Sequence, residues 1–352
     1  MIRVGLIGFG MAGRVFHAPL ISSVEGLELA AVVERSSLQA AERYPGIVTY
    51  RSLAEMLADP SLHLLVVATP SGTHYEVARQ ALEAGKNLVV DKPMAPTSAQ
   101  IAELAQLAAD RGALLIPFHN RRFDGDFLTV QNLLKQGVLG RLVHLESRMD
   151  RWNPGATRRP WKNDPSQGGG VLLDLGTHLV DQALALFGQP LAVSADMLRE
   201  RDGEGAEDSF TLRLRYDGFA VTLEANMLSS PAGSRFHVRG TKGNFRKKGV
   251  DPQEAALNKI TRIASPTWGE EASPDWGMLH VDVDGGMVTR PVATVAGDYR
   301  RFYAGVRDAL QGKGELPVGA ADAFKVARLV ETARASSEGR CEVPLDWSGR
   351  GL

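Results

Sequence analysis

Six times between residues 2 and 118 the chain returns to a short, nearly continuous run of Val, Leu and Ile: IRVGLIG, LELAAVVE, IVTY, LHLLVVATP, KNLVVDKP and ALLIPF. Runs this short and this apolar fit parallel strands covered on both faces. Between them lie stretches of helical period, such as HYEVARQALEAG and SAQIAELAQLAADRG, each closed by a glycine suited to a helix end. Strand and helix in alternation make βαβ units, and a chain that repeats them is constrained to an α/β fold with a doubly wound parallel sheet.

After Phe118 the rhythm changes. LVHLESRMDRW alternates, and FTLRLRY runs into FAVTLEANML through Asp217 and Gly218, a pair suited to a hairpin turn. LHVDVDGGMVTRPV repeats the device. These runs predict one open, mostly antiparallel sheet, with a helix over 168–187 and two late helices near 298–311 and 320–337 against it. A length of 352 residues exceeds the size at which one core stops growing. The expected division is a parallel α/β domain over 1–118 and an α+β domain over 119–352, sharing an interface because no flexible linker separates them.

Forty Lys and Arg stand against 41 Asp and Glu, a formal net charge of -1, and there is no long basic run. No nucleic-acid partner is therefore expected, and Arg246, Lys247 and Lys248 read as a solvated turn. The single cysteine, Cys341, excludes an internal disulfide and a multi-cysteine zinc site, and suits a reducing compartment. MIRVGLIGFG enters a strand pattern without a leader of secretory type, and no apolar run is long enough to span a bilayer. A cytoplasmic protein with no membrane partner is the expectation.

GFGMAG, residues 8–13, sets Gly8, Gly10 and Gly13 at the spacing GxGxxG, with Phe9, Met11 and Ala12 between them. The spacing alone is weak; its place after a strand and before the amphipathic AGRVFHAPLI is the context that gives it meaning. Such glycines permit a tight turn and let backbone approach a pyrophosphate, whose charge a helix N-terminus stabilises. A glycine-rich turn without a ligand is the competing reading. Glu34 ends LAAVVE about twenty residues on, where an acid accepts hydrogen bonds from the adenosine ribose of NAD. Arg35, Ser36 and Ser37 follow, and an arginine with hydroxyls there suits the 2′-phosphate of NADP, so both cofactors stay open. Thr69, Pro70 and His74 fall at the carboxyl edge of the fourth strand, where such sheets bind ligands, although His74 fits a plain helix surface equally well.

A nicotinamide carries a hydride, so the protein must supply a proton acceptor and groups that orient the alcohol. No Tyr is followed four positions later by Lys, which excludes one common dehydrogenase pair. Lys92 closes NLVVDKP after Asp91; Pro93 biases it away from helical geometry and the strand delivers it to the carboxyl edge, where it can polarise a substrate oxygen. An exposed strand-end lysine is the plainer reading. In GGGVLLDLGTHLVDQALALF, residues 168–187, the apolar set Leu172, Leu175, Leu179, Ala183 and Phe187 predicts a helix on a core. Asp174 and His178 lie four apart on one face of it, with Asp181 and Gln182 following on the same side.

Aspartate is a poor helix-interior residue and costs desolvation energy unless paired. The pair is either a cap with a satisfied core histidine, or an acid that fixes the imidazole or binds a substrate hydroxyl while His178 exchanges the proton. No third and fourth ligand is identifiable, so no metal is expected. FHNRRFDGDF, residues 118–127, and DRWNPGATRRPWKND, residues 150–164, add Asn120, Trp152, Trp161 and several arginines, which suit a polyol site at a domain junction or, equally, interdomain packing.

GFGMAG with FHAPLI, VVATPSGTHY, DKP, HNRRFDGDFL and GGGVLLDLGTHLVDQ, in that order, resembles the Gfo/Idh/MocA oxidoreductase family over essentially the whole chain. HAPLI, HNRR and LDLGTHLVDQ are similar to its NADP-dependent scyllo-inositol 2-dehydrogenase branch. The resemblance implies an N-terminal Rossmann NAD(P)-binding domain and a C-terminal substrate domain whose open sheet commonly forms the interface of a homodimer or homotetramer. It implies hydride transfer between NAD(P) and a secondary alcohol or ketone of a sugar or cyclitol, with anhydro-sugars, uronates and dihydrodiols as neighbouring substrates. By resemblance the family's lysine is Lys92, its acid Asp174 and its histidine His178. The residues themselves add Asp91, Asn120 and Trp161 to the expected cofactor side of the pocket, and Asn120, Trp152 and Trp161 to its substrate side. The expected roles are His178 as general acid/base, Lys92 as the group holding the reacting oxygen, and Asp174 as the orienter of the histidine or of a neighbouring hydroxyl. Asp91 stands where the family usually has Glu, and Glu34 where the NADP-using branch tends to have a small hydroxyl residue. The alternative is a nucleotide-binding regulator of the same fold that has lost catalysis; such a chain is expected to lose the lysine or the histidine, and both are present.

Overall fold

The six apolar runs form β1 (Ile2–Ile7), β2 (Leu27–Val33), β3 (Val48–Tyr50), β4 (Leu64–Val67), β5 (Asn87–Val90) and β6 (Leu115–Pro117). They pair in parallel in the order β3-β2-β1-β4-β5-β6, in a computed structural model that describes residues 1–155, 160–203 and 205–347. The order reverses between β1 and β4, and the crevice at such a switch point is where doubly wound sheets bind ligands. The strands are apolar at nearly every position because both faces are covered. Val4, Leu6, Leu64 and Val66 fill one side, while Ile7, Leu65, Val67 and Leu88 fill the other.

Local signals set the covering helices. Thr97 caps Ser98–Arg111 by accepting from the Gln100 amide, and Gly112 ends it in the left-handed region at φ 62°. No helix among the described residues is long and apolar enough to cross a membrane.

The second domain holds β7 (Leu142–Arg148), β8 (Ala192–Leu198), β9 (Ser209–Tyr216), β10 (Phe219–Asn226), β11 (Phe236–Gly240), β12 (Gly243–Lys247), β13 (Gly277–Val283), β14 (Gly286–Val292) and β15 (Val343–Pro344). They form one sheet in the order β14-β13-β12-β11-β7-β10-β9-β8-β15, antiparallel except where β10 runs parallel to β7. Both expected hairpins are present. Tyr216 pairs with Phe219 across Asp217 and Gly218, and Val283 pairs with Gly286 across Asp284 and Gly285, both of which take positive φ. The inner face packs Phe210, Leu212, Leu223 and Val238 against Leu172, Leu179 and Val180 of the 168–187 segment and Val326 and Leu329 of Ala320–Gly339.

One late helix departs from the expectation. Arg300–Leu310 packs on the parallel sheet rather than the open one, because Tyr299, Phe302, Tyr303 and Val306 match the apolar surface left by Leu20, Ile116 and Phe118. The chain thus returns from the open sheet to pack on the parallel one.

Candidate active site

β1 is followed by Gly8, whose φ of 98° turns the chain sharply. The helical run 11–21 begins directly after Gly10, leaving its first N–H groups without intrahelical partners. A Cβ on Gly13 would lie 2.2 Å from the Gly8 carbonyl oxygen, so glycine is required for the turn to close. A Cβ on Gly10 would meet no protein atom within 4 Å and would project into open space instead. Phe9 is buried and packs edge-on against Tyr44, anchoring the loop.

The loop faces a cavity of about 290 Å³, at the lower end of the size of small-molecule sites. Gly10, Met11 and Ala12 line one end; Thr69, Pro70, His74, Asp91 and Lys92 line the strand edge; Asn120, Trp161, Asp174 and His178 complete it. His74 contacts the Thr69 carbonyl through Nε2 and the Pro93 carbonyl through Nδ1, both at 2.8 Å, so it staples the end of β4 to the end of β5. Asp91 accepts from the Lys92 amide and faces the buried His17, whose Nδ1 lies 2.7 Å from the Tyr303 hydroxyl. Burial raises the Asp91 pKa, but His17, Lys92 and His74 outweigh it and hold the group below the usual carboxylate value.

The helix expected over 168–187 contains a wide π-type turn, Leu172–Gly176, before the α-helix Thr177–Phe187. Turns of this kind recur at functional sites because they redirect side chains. Gly169 admits a close neighbour: a Cβ there would collide with the Asp164 and Lys162 carbonyls, which accept from the Gly169 and Gly170 amides. That contact brings the Trp161–Lys162 loop over the turn.

Asp174 does not pair with His178, as the helical spacing suggested, because two lysines reach it first. Lys92 Nζ donates to the Asp174 main-chain carbonyl at 2.5 Å and to Oδ1 at 3.2 Å, while Lys162 Nζ donates to Oδ2 at 2.6 Å. Burial raises the Asp174 pKa, yet the charges of Lys92, Lys162 and Arg151 hold it far below the carboxylate range. His178 is buried, and its Nδ1 has no partner among the described residues. Burial first, then the charges of Lys92 and Arg121, push its pKa well below 6.5, so the imidazole is neutral at physiological pH.

Other candidates fall elsewhere. Trp152 is 61 % exposed, bridges to Leu228 and does not line the cavity, because the strand continuation turns it outward. Glu34 is turned under its loop, where its carboxylate accepts from Ser37 Oγ and the Ala40 amide rather than facing the crevice; Arg35 and Ser36 are exposed beside it. Asp181 binds Arg122, and Gln182 donates to the Arg121 carbonyl while accepting from Arg235, so both fix the HNRR turn that presents Asn120. Arg158 and Arg159 lie outside the described residues. Lys162, Arg151, Arg121 and Glu254 also line the cavity; Arg121 and Arg151 fall in the two arginine-bearing stretches noted in the sequence and Lys162 stands beside Trp161, while nothing in the sequence signals Glu254.

The description "Oxidoreductase family, NAD-binding Rossmann fold" matches residues 2–119, and "GFO/IDH/MocA C-terminal domain" matches 127–246. The oxidoreductase YdgJ of Escherichia coli is 39% identical over 344 residues, 98% of this chain and 99% of that one. The chain belongs to the Gfo/Idh/MocA oxidoreductase family. Another relative, the NADP(+)-dependent scyllo-inositol 2-dehydrogenase IolW of Bacillus subtilis, is 31% identical over 345 residues, covering 98% and 96% of the two chains. An oxidoreductase of Bacillus cereus superposes with a TM-score of 0.89 at 30% identity, over 98% of this chain and 99% of that one.

For a family with an NAD-binding Rossmann fold, the open space above Gly10 has a direct consequence. Gly10→Ala is expected to leave thermal stability unchanged, since nothing of the protein is displaced, while weakening nucleotide binding at least about tenfold in a calorimetric titration. Unchanged affinity would show that the loop does not approach the ligand.

Proposed function

We propose that the protein is an NAD(P)-dependent dehydrogenase or reductase acting on a secondary alcohol or ketone of a sugar or cyclitol. The observation that carries this reading is the neutral, buried His178, its Nδ1 unpartnered among the described residues, in the cavity that Lys92 also lines. Two relatives support the substrate class: the scyllo-inositol 2-dehydrogenase above and the D-glucoside 3-dehydrogenase of Escherichia coli, 26% identical over 351 residues, 98% of this chain and 97% of that one.

The residues fit a nicotinamide dinucleotide. The space above Gly10 and the free N–H groups at the start of the helical run suit a pyrophosphate, and Thr69, Pro70 and Asp91 continue the wall toward Lys92. Bound there, a nicotinamide dinucleotide would supply the hydride chemistry, as acceptor in oxidation and donor in reduction. Lys92 holds the reacting oxygen through a charge-assisted hydrogen bond that strengthens as negative charge develops there. Asp174 keeps Lys92 and Lys162 at fixed positions. His178, uncharged, takes the hydroxyl proton in oxidation and returns it in reduction. Phe118, Leu173 and Leu175 limit water on the remaining wall.

The test is incubation with NAD or NADP and a panel of inositols, hexosides and their keto forms, followed by the absorbance of the reduced nicotinamide. Turnover of at least one cyclitol or sugar is expected. Cofactor binding without turnover of any polyol, sugar or ketone would replace the enzyme with a nucleotide-binding regulator.

A further inference from the structure

We infer that the substrate carries an anionic group, a carboxylate or a phosphate, away from its reacting carbon, and that Arg151 is the residue that binds it. This inference rests on the dehydrogenase reading above and narrows its sugar or cyclitol to a charged one. Arg151 lines the same cavity as Lys92 and His178 yet is exposed, so it stands where the cavity opens to solvent. Its backbone is pinned beyond the end of β7: the amide donates to the Asn226 carbonyl at 2.9 Å, and the carbonyl accepts from the Ser229 amide at 3.1 Å.

The charges along the cavity do not balance at this end. Arg121 is met by Glu254, to which its Nη2 donates at 2.5 Å, and Asp91 is turned to the Lys92 amide and toward His17. Around Asp174, by contrast, the charges of Lys92, Lys162 and Arg151 act on a single carboxylate. Burial raises the Asp174 pKa and these three cations lower it; burial lowers that of His178, and Lys92, Arg121, His119 and Arg151 lower it further. His178, being neutral, contributes no charge. Lys162 and Asp174 cancel, and Lys92 is matched by the negative charge that develops on the reacting oxygen. Arg151 is left over.

Arg151 makes no side-chain hydrogen bond or ion pair with the described residues. Its neighbour Asp150 is already engaged, accepting from Asn226 Nδ2 at 3.0 Å and from the Gly233 amide at 3.2 Å and facing Arg148. An unmatched guanidinium on a cavity wall draws anions in, and its paired N–H donors fit the two oxygens of a carboxylate or a phosphate. A neutral polyol leaves that charge unmatched. The anionic group is a spectator in the chemistry: the hydride still leaves the alcohol carbon for the nicotinamide, and the hydroxyl proton still passes to His178.

Initial rates on matched hexoses, hexuronates and hexose 6-phosphates of the gluco, galacto and manno series, with inositols as neutral cyclitols and with either cofactor, test this. An anionic member is expected to exceed its neutral counterpart in kcat/KM by at least about tenfold, and the uronate and phosphate arms tell which anion is taken. Raising NaCl from about 20 to about 300 mM should erode that preference, because the attraction of an exposed cation is screened. Arg151→Gln should reduce the ratio of anionic to neutral kcat/KM by about tenfold or more, chiefly through KM, and Arg151→Lys should restore part of it. A neutral hexose or inositol turned over as well as every anionic member would overturn the inference. So would a ratio unchanged in Arg151→Gln or indifferent to salt. Binding of cofactor with no turnover in any arm would overturn the dehydrogenase reading itself, a distinguishable result.

Discussion

Replacing His178 with asparagine is expected to slow oxidation of the substrate alcohol by about 100- to 10,000-fold, the usual contribution of a positioned proton acceptor. Asparagine is close to imidazole in size and retains a hydrogen-bonding capacity, but it cannot take up and release a proton near neutrality. Nucleotide affinity should change little, since the glycine loop is untouched. A variant with near wild-type turnover would remove His178 from the mechanism. Stability should respond as well, with a definite sign. The native imidazole titrates well below 6.5, whereas the unfolded chain takes up that proton at the ordinary value. The unfolded state therefore binds more protons below pH 6.5, and the native protein loses stability as pH falls through that region. Urea titrations of His178→Asn should show a smaller loss over the same range.

The second large effect is expected at Asp174. Its carboxylate bridges two ammonium groups, at 3.2 Å from Lys92 and 2.6 Å from Lys162, and Asp174→Asn leaves those cations facing each other. Breaking a fully buried pair costs about 3–5 kcal/mol; the Asp174 side chain is 28% exposed, so a destabilisation of about 2–3 kcal/mol is expected by urea titration. Because Lys92 loses its fixed position, kcat/KM should also fall, by at least about tenfold. Adding Lys162→Met removes one of the unbalanced charges and should recover about 1 kcal/mol of the loss, a coupling that a double-mutant cycle reads directly. Purely additive costs would show that the two lysines are not held by a common carboxylate.

Features specified by local chemistry were legible in the sequence. The six strands follow from continuous apolar runs, both hairpins from Asp-Gly turns, and the nucleotide loop from Gly8, Gly10 and Gly13 between a strand and a helix. Lys92, Asn120, Trp161, Asp174 and His178 do line one cavity. Their pairings were less accessible. Helical spacing placed Asp174 beside His178, but the wide turn Leu172–Gly176 and the loop admitted by Gly169 hand the carboxylate to lysines 82 and 12 positions away. Glu34 was read from its strand-end position, while its side chain answers to the local demand of the Ala40 amide and the Ser37 hydroxyl. The period of Arg300–Leu310 shows an apolar face but not which sheet receives it, and that choice depends on the surface left around Ile116 and Phe118.

The central claim is that a neutral His178 accepts the proton while Lys92 holds the oxygen. The pH profile of kcat/KM for alcohol oxidation tests it most directly. A base must be unprotonated to act, so the rate should hold a plateau as pH falls to 6.5 and decline only below it, along the depressed titration of His178, and this acid limb should vanish in His178→Asn. A limb centred above 6.5, or one that persists unchanged in the variant, would contradict the account.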